Sequence, residues 1–136
     1  MKIALVQLNY RIGDFEGNCR KITEAIGRAR GEGAELAVFS ELSVTGYHPQ
    51  DLLERKEFIA AAQAAVEEIA GHCHGIAALV GAPVLNAGER GKKLYNAALY
   101  LAEGKVSDLF FKTLLPTYDV FDEYRHFEHN RRFILL

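Results

Sequence analysis

Short, nearly unbroken apolar runs alternate with helix-spaced apolar stripes through the first part of the chain, and few folds accept that order. Residues 2–9 are rich in strand formers and end at the turn signal Gly13-Asp14. Asn18 is placed to cap a helix whose stripe is Cys19, Ile22, Ile26 and Ala29, with Gly31 and Gly33 stopping it. Residues 35–40 are apolar enough for a strand buried on both faces. A second stripe, Phe58, Ala62, Ala65, Val66, Ile69 and Cys73, predicts another helix. Residues 76–85, with Gly81 and Pro83 near the end, read as a strand, as do 94–101 and 106–112. A hairpin turn at Glu103-Gly104 joins the last two. The order β-α-β-α-β-β-β defines an α/β domain with helices covering a sheet.

Composition narrows the function classes. The chain has 136 residues, 49% apolar and 25% charged, with a net charge of −2. That is enough to build a core within one domain or part of one. Acids and bases interleave, so there is no basic footprint for nucleic acid and no polybasic membrane patch. The N-terminal run MKIALVQLNY is too short for a signal peptide, and nothing approaches the roughly 20 apolar residues of a membrane span. Two cysteines make no disulfide framework, which fits a reducing cytosol. The chain closes on the apolar run FILL, within residues 132–136, and reads as the front part of a longer polypeptide.

Chemistry concentrates in two stretches. In FSELSVTGYHPQDLL, Glu41 appears where an apolar run has just ended. In FKTLLPTYDVFDEYRHFE, Lys112 follows Phe110-Phe111 at the end of another strand. Ligands and chemistry collect at strand ends in open α/β sheets. A carboxylate and an ammonium from neighbouring strand ends can share a pocket, the first moving protons and the second stabilising an oxyanion. An ordinary salt bridge at the sheet rim fits the same spacing. Cys19 and Cys73 both fall on apolar stripes, where a thiol acts as a small core hydrophobe. His72-Cys73-His74 could ligate a metal but lacks a zinc spacing. No glycine-rich phosphate loop is present.

The blocks FSELSVTGYHPQDLL, VGAPV, KLYNAALYL and FKTLLPTYDVFDEYRHFE, in this order and at these distances, resemble the nitrilase (carbon–nitrogen hydrolase) superfamily. The wording TGYHPQDLL with LPTYDVFDEYRHF is most similar to the glutaminase domains of glutamine-dependent NAD synthetases. The resemblance implies a four-layer α-β-β-α sandwich, of which residues 1–136 form the N-terminal part of a single domain. It implies a Glu-Lys-Cys triad, with Glu41 as general base, Lys112 as oxyanion stabiliser and Glu123 as the further acid beside the lysine. Tyr47 and Tyr118 match hydroxyls that line the glutamine pocket.

Two departures matter. The family's nucleophilic cysteine lies downstream of the lysine motif, so no nucleophile is expected in this chain, and the polypeptide alone should be inactive. His126 and His129 stand where the family more often has an aromatic and a proline. The resemblance further implies glutamine as substrate and a C-terminal synthetase domain that uses ATP and magnesium to amidate deaminated NAD. No cofactor is implied for this domain itself. A cytoplasmic location and a homo-oligomeric intact enzyme complete the expectation. A stand-alone amidase or carbamoylase, or a non-catalytic scaffold with the same fold, are the alternatives. If later strands complete the sandwich, Val6, Val38, Leu79 and Phe133 should lie on faces partly lacking cover.

Overall fold

The computed structural model describes residues 1–88 and 90–130. Five strands form one sheet in the order β1-β2-β3-β4-β5: Ile3–Leu5, Leu36–Val38, Ala77–Leu85, Leu94–Ala102 and Lys105–Phe111. The first three run parallel, joined by helical crossovers, and the last three form an antiparallel meander. The helices are α1 (Phe15–Gly31), α2 (Lys56–Gly71) and the single turn α3 (Glu123–His126), and a 3-10 turn covers Gln50–Glu54.

Both crossover helices lie on one face of the sheet. Cys19, Ile22, Ala25 and Ile26 of α1 and Ala65, Val66 and Ile69 of α2 meet Ala37, Ala78, Val80, Ala82, Ala97, Leu99 and Leu101. Small alanines on the strands, Ala37, Ala78, Ala82 and Ala97, let the helices approach closely, and both layers contribute larger side chains. Each large aliphatic side chain buried there contributes about 1.5–3 kcal/mol. The opposite face is also apolar but open: Val38 and Leu79 are half-buried, and Ile3, Leu5 and Phe110 are exposed. The described residues therefore supply one helical and one sheet layer of the α-β-β-α arrangement.

Several expectations need correction. The helix α1 is capped by Asp14, whose Oδ1 accepts from the Gly17 N–H at 2.9 Å, not by Asn18. Asn18 is buried inside α1, and its amide bonds Arg11 and the Val44 carbonyl, tying the helix to the loop after β2. Val6 packs toward the helices and not the open face, because Ile3 and Leu5 take the outer register. The first strand is shorter than residues 2–9, since its one partner, β2, pairs over three residues. Gly81 and Pro83 lie inside β3 and not at its end. The expected turn at Glu103-Gly104 is present, both residues having positive φ as a tight hairpin requires. Phe133 and the run 132–136 lie outside the described residues.

Candidate active site

The parallel and antiparallel directions together aim the ends of β2 and β5 toward the same edge of the sheet. Glu41 follows β2 and Lys112 follows β5, so both side chains leave at that edge. They are not on adjacent strands, as the sequence suggests, because β3 and β4 lie between. The gap is closed by the turn 41–45, which folds across β3. Val44 N–H donates to the Gly81 carbonyl at 3.1 Å, and Gly81 N–H donates to Ser43 Oγ at 3.1 Å. A Cβ on Gly81 would sit 2.3 Å from the Leu42 nitrogen. The glycine in VGAPV is what lets Glu41 pass over β3 to reach β4.

There Glu41 Oε1 accepts from Lys112 Nζ at 2.8 Å and from Asn96 Nδ2 at 2.6 Å. Lys112 Nζ also donates to both oxygens of Glu123, at 3.1 and 2.9 Å. Glu123 is 1% exposed, whereas the side chains of Lys112 and Glu41 keep 30% and 43% of their exposure. Tyr47 donates its hydroxyl to Glu123 Oε1 at 2.9 Å. An ammonium held between two carboxylates stays charged: burial pulls the Lys112 pKa down, but its bonds to Glu41 and Glu123 outweigh this and leave it raised. Burial and the bond to Glu123 push the Tyr47 hydroxyl pKa up, keeping it a donor.

A cleft of about 370 Å³ opens beside this cluster, lined by Ser40, Glu41, Tyr47, Lys112, Tyr118 and Phe121 among others. Tyr118 is largely exposed, its ring edge-on to Phe121 at 5.6 Å. The five residues singled out in the sequence thus border one cleft. An exposed carboxylate beside a fixed ammonium can exchange protons and stabilise an anion together. A larger cleft of about 800 Å³ lies by the start of α2, but its rim is cationic and its one lining carboxylate, Glu54, sits 3.9 Å from Arg125. Volume alone does not locate the chemistry.

The other candidates lie apart. Cys19 and Cys73 are buried in the core with the helices, and burial pushes both thiols up to about 11. Cys73 turns inward while His72 and His74 are exposed, so the three do not converge. His126 is buried with Nε2 3.9 Å from Asp51 and its ring edge-on to His48 at 5.9 Å, and His129 Nδ1 lies 3.3 Å from Glu128. Asn96 and Gly81 are the residues that sequence reasoning passed over. A polar residue inside the apolar strand LYNAALYL was the available signal for Asn96.

The chain belongs to the carbon-nitrogen hydrolase family, whose model matches residues 2–135. Among its relatives are glutamine-dependent NAD(+) synthetases. That of Xylella fastidiosa is 42% identical over 129 residues, covering 94% of this chain and 23% of the relative. The Thermotoga maritima protein is 34% identical over 136 residues, covering all of this chain and 23% of its own length. Among solved structures, the glutamine-dependent NAD+ synthetase of Acinetobacter baumannii superposes with a TM-score of 0.87 at 34% identity, over 96% of this chain and 24% of that one. An amidase from Nesterenkonia sp. superposes with a TM-score of 0.77 at 29% identity, over 97% and 49%. The chain thus spans about a quarter of the length of the synthetases it matches. Among the described residues no helix is long and apolar enough to cross a membrane.

Proposed function

We propose that this chain supplies the base, the oxyanion-stabilising lysine and the supporting acid of a glutamine amidohydrolase site, in an enzyme that amidates deaminated NAD with the ammonia released. The observation that carries the reading is the position of Lys112 Nζ, within hydrogen-bond distance of Glu41 and Glu123 at once and at the wall of a cleft. Kinship to synthetases named for their glutamine dependence supports glutamine as the substrate.

In this reading Glu41 takes the proton of a cysteine thiol contributed from outside residues 1–136. The thiolate attacks the glutamine side-chain carbonyl, a C–S bond forms, and the resulting oxyanion faces the Lys112 ammonium. Collapse breaks the C–N bond, and the proton held by Glu41 leaves with ammonia. Glu41 then deprotonates a water that attacks the thioester, releasing glutamate and returning the proton to the thiol. Glu123 keeps Lys112 charged and in place, and Tyr47 and Tyr118 border the bound amide. The burial of Cys19 and Cys73 on the helix side of the sheet supports a nucleophile other than these two. A solved structure of a mutant of the amidase neighbour carries an acrylamide adduct at its active-site cysteine, which fits a thiol partner for this kind of site. ATP and magnesium enter only at the amidation step.

The same neighbour, also solved in complex with acrylamide, supports a second reading, an amidase acting on small amides. One experiment separates the two. The chain is joined in place of the matching segment of the Xylella fastidiosa relative, and ammonia release from glutamine and from acetamide is measured. The glutaminase reading expects glutamine to be strongly preferred, and the isolated chain to release no ammonia above buffer background. A folded fusion that ignores glutamine, or prefers acetamide, overturns it.

A further inference from the structure

Among the described residues, Glu41 is held at only one of its two oxygens. Lys112 Nζ and Asn96 Nδ2 both donate to Oε1, at 2.8 and 2.6 Å. Among the described residues no hydrogen bond ends on Oε2. Asn96 is 3% exposed, on β4, opposite Pro83 on the open face of the sheet. Its backbone carbonyl accepts the Lys112 N–H at 2.8 Å. One buried residue therefore holds the Glu41 side chain through its amide and the Lys112 backbone through its carbonyl.

We propose that Asn96 is a positioning residue, pinning Glu41 Oε1 together with Lys112 so that Oε2 is the oxygen that exchanges protons at the cleft. The terminal torsion of a glutamate is broad and roughly two-fold, so a single donor leaves either oxygen free to face the lysine. Two donors converging on one oxygen from different strands remove that freedom. The amide can face Glu41 only through Nδ2, since its oxygen would meet a carboxylate oxygen, acceptor against acceptor. Asparagine also adds a donor without a second positive charge, which would compete with Lys112 for the carboxylate. The identity of the proton's partner rests on the glutaminase reading, whereas the clamp itself does not.

The test has two arms. In the isotope-labelled chain, the Asn96 side-chain amide signals should shift as the Glu41 carboxyl titrates, and the response should vanish in Glu41→Gln. In the fusion described above, Asn96→Leu and the isosteric Asn96→Asp should each lower kcat for glutamine about 100-fold, the scale of a misplaced catalytic group. KM should stay within about threefold of wild type, a split that general loosening of the sheet would not give. An Asn96 amide indifferent to Glu41 titration overturns the clamp, even if the variants fail to fold. A kcat within about threefold of wild type in Asn96→Asp overturns its part in the reaction. A folded wild-type fusion that does not hydrolyse glutamine would instead refute the glutaminase reading, and the amide titration would still decide the clamp.

Discussion

Replacing Gly81 by alanine should be among the costliest single-methyl additions in this fold. The new Cβ would lie 2.3 Å from the Leu42 nitrogen, 2.9 Å from the Glu41 carbonyl carbon and 3.0 Å from the Glu41 Cα, all backbone atoms that cannot rotate away. Ordinary contact begins near 3.4 Å, so the 41–42 backbone must retreat by about 1 Å. Overpacking of this kind costs about 1–3 kcal/mol. The retreat also stretches the two bonds that lace the turn to β3, Val44 N–H to the Gly81 carbonyl and Gly81 N–H to Ser43 Oγ, each contributing about 1 kcal/mol. The expected loss is about 3–5 kcal/mol, a large part of the 5–15 kcal/mol typical of a domain. Urea unfolding followed by far-UV circular dichroism measures it, with Gly27→Ala as the control. Gly27 lies within α1 with nothing within 4 Å of an added Cβ, and alanine there should stabilise by about 0.5–1 kcal/mol. If Gly81→Ala unfolds within about 1 kcal/mol of wild type, the turn does not depend on close approach to β3. The account of how Glu41 crosses the sheet then fails.

Other consequences are equally open to measurement. Lys112→Met strands the Glu123 carboxylate, 1% exposed, with Tyr47 as its remaining polar contact among those described. The loss should be about 3 kcal/mol by urea unfolding, the low end for breaking a buried pair because Lys112 itself is partly solvated. An unchanged midpoint would show that the pair adds nothing. With thiol pKa values of about 11 for Cys19 and Cys73, only about one thiol in a thousand is ionised at pH 8. Alkylation of the folded chain should run at least about 100-fold slower than in urea, and rapid labelling of either cysteine would contradict its place in the core. Burial, and then His126, hold the His48 pKa below its ordinary 6.5. Folding disfavours its protonation, so its contribution is intact above pH 6.5 and is lost as pH falls through the lowered value. Melting temperature should drop below pH 6.5, and less steeply in His48→Phe; parallel profiles would remove His48 from the account.

Much of this arrangement was legible because period and polarity report local facts. The stripes of α1 and α2 and the placement of Cys19 follow from 3.6-residue spacing, which needs no partner to interpret, whereas Cys73 is buried as expected but lies two residues past the end of α2. Glu41 and Lys112 stood out because each is a charge placed directly after an apolar strand. What could not be read is what depends on register between distant segments. Val6 and Leu5 are both strand apolar residues, and only pairing with β2 decides which of them faces the helices. Adjacency of the Glu41 and Lys112 strands was a natural inference, yet the sheet separates them and the turn over Gly81 reunites their side chains. Asn18 and Asp14 are both good caps by residue type. The bonds from Asn18 to Arg11 and Val44 drew it into the interior and left the cap to Asp14. Asn96 carried a signal, a polar side chain in a buried strand, but its partner lies 55 residues away.

The most direct measurement of the central claim is the steady-state rate of glutamine hydrolysis by the fusion carrying Glu41→Gln, an almost isosteric change at a half-exposed side chain. If Glu41 moves the protons, the rate falls by about 1,000-fold, within the 10²–10⁴ range of general acid–base catalysis, while the fusion stays folded, because the new side-chain amide oxygen can still accept from Lys112 and Asn96 in place of Oε1. A variant that still hydrolyses glutamine within about tenfold of the unsubstituted fusion, below the range expected for a lost general base, would contradict the account, leaving Glu41, Lys112 and Glu123 as an ion-pair network at the sheet rim.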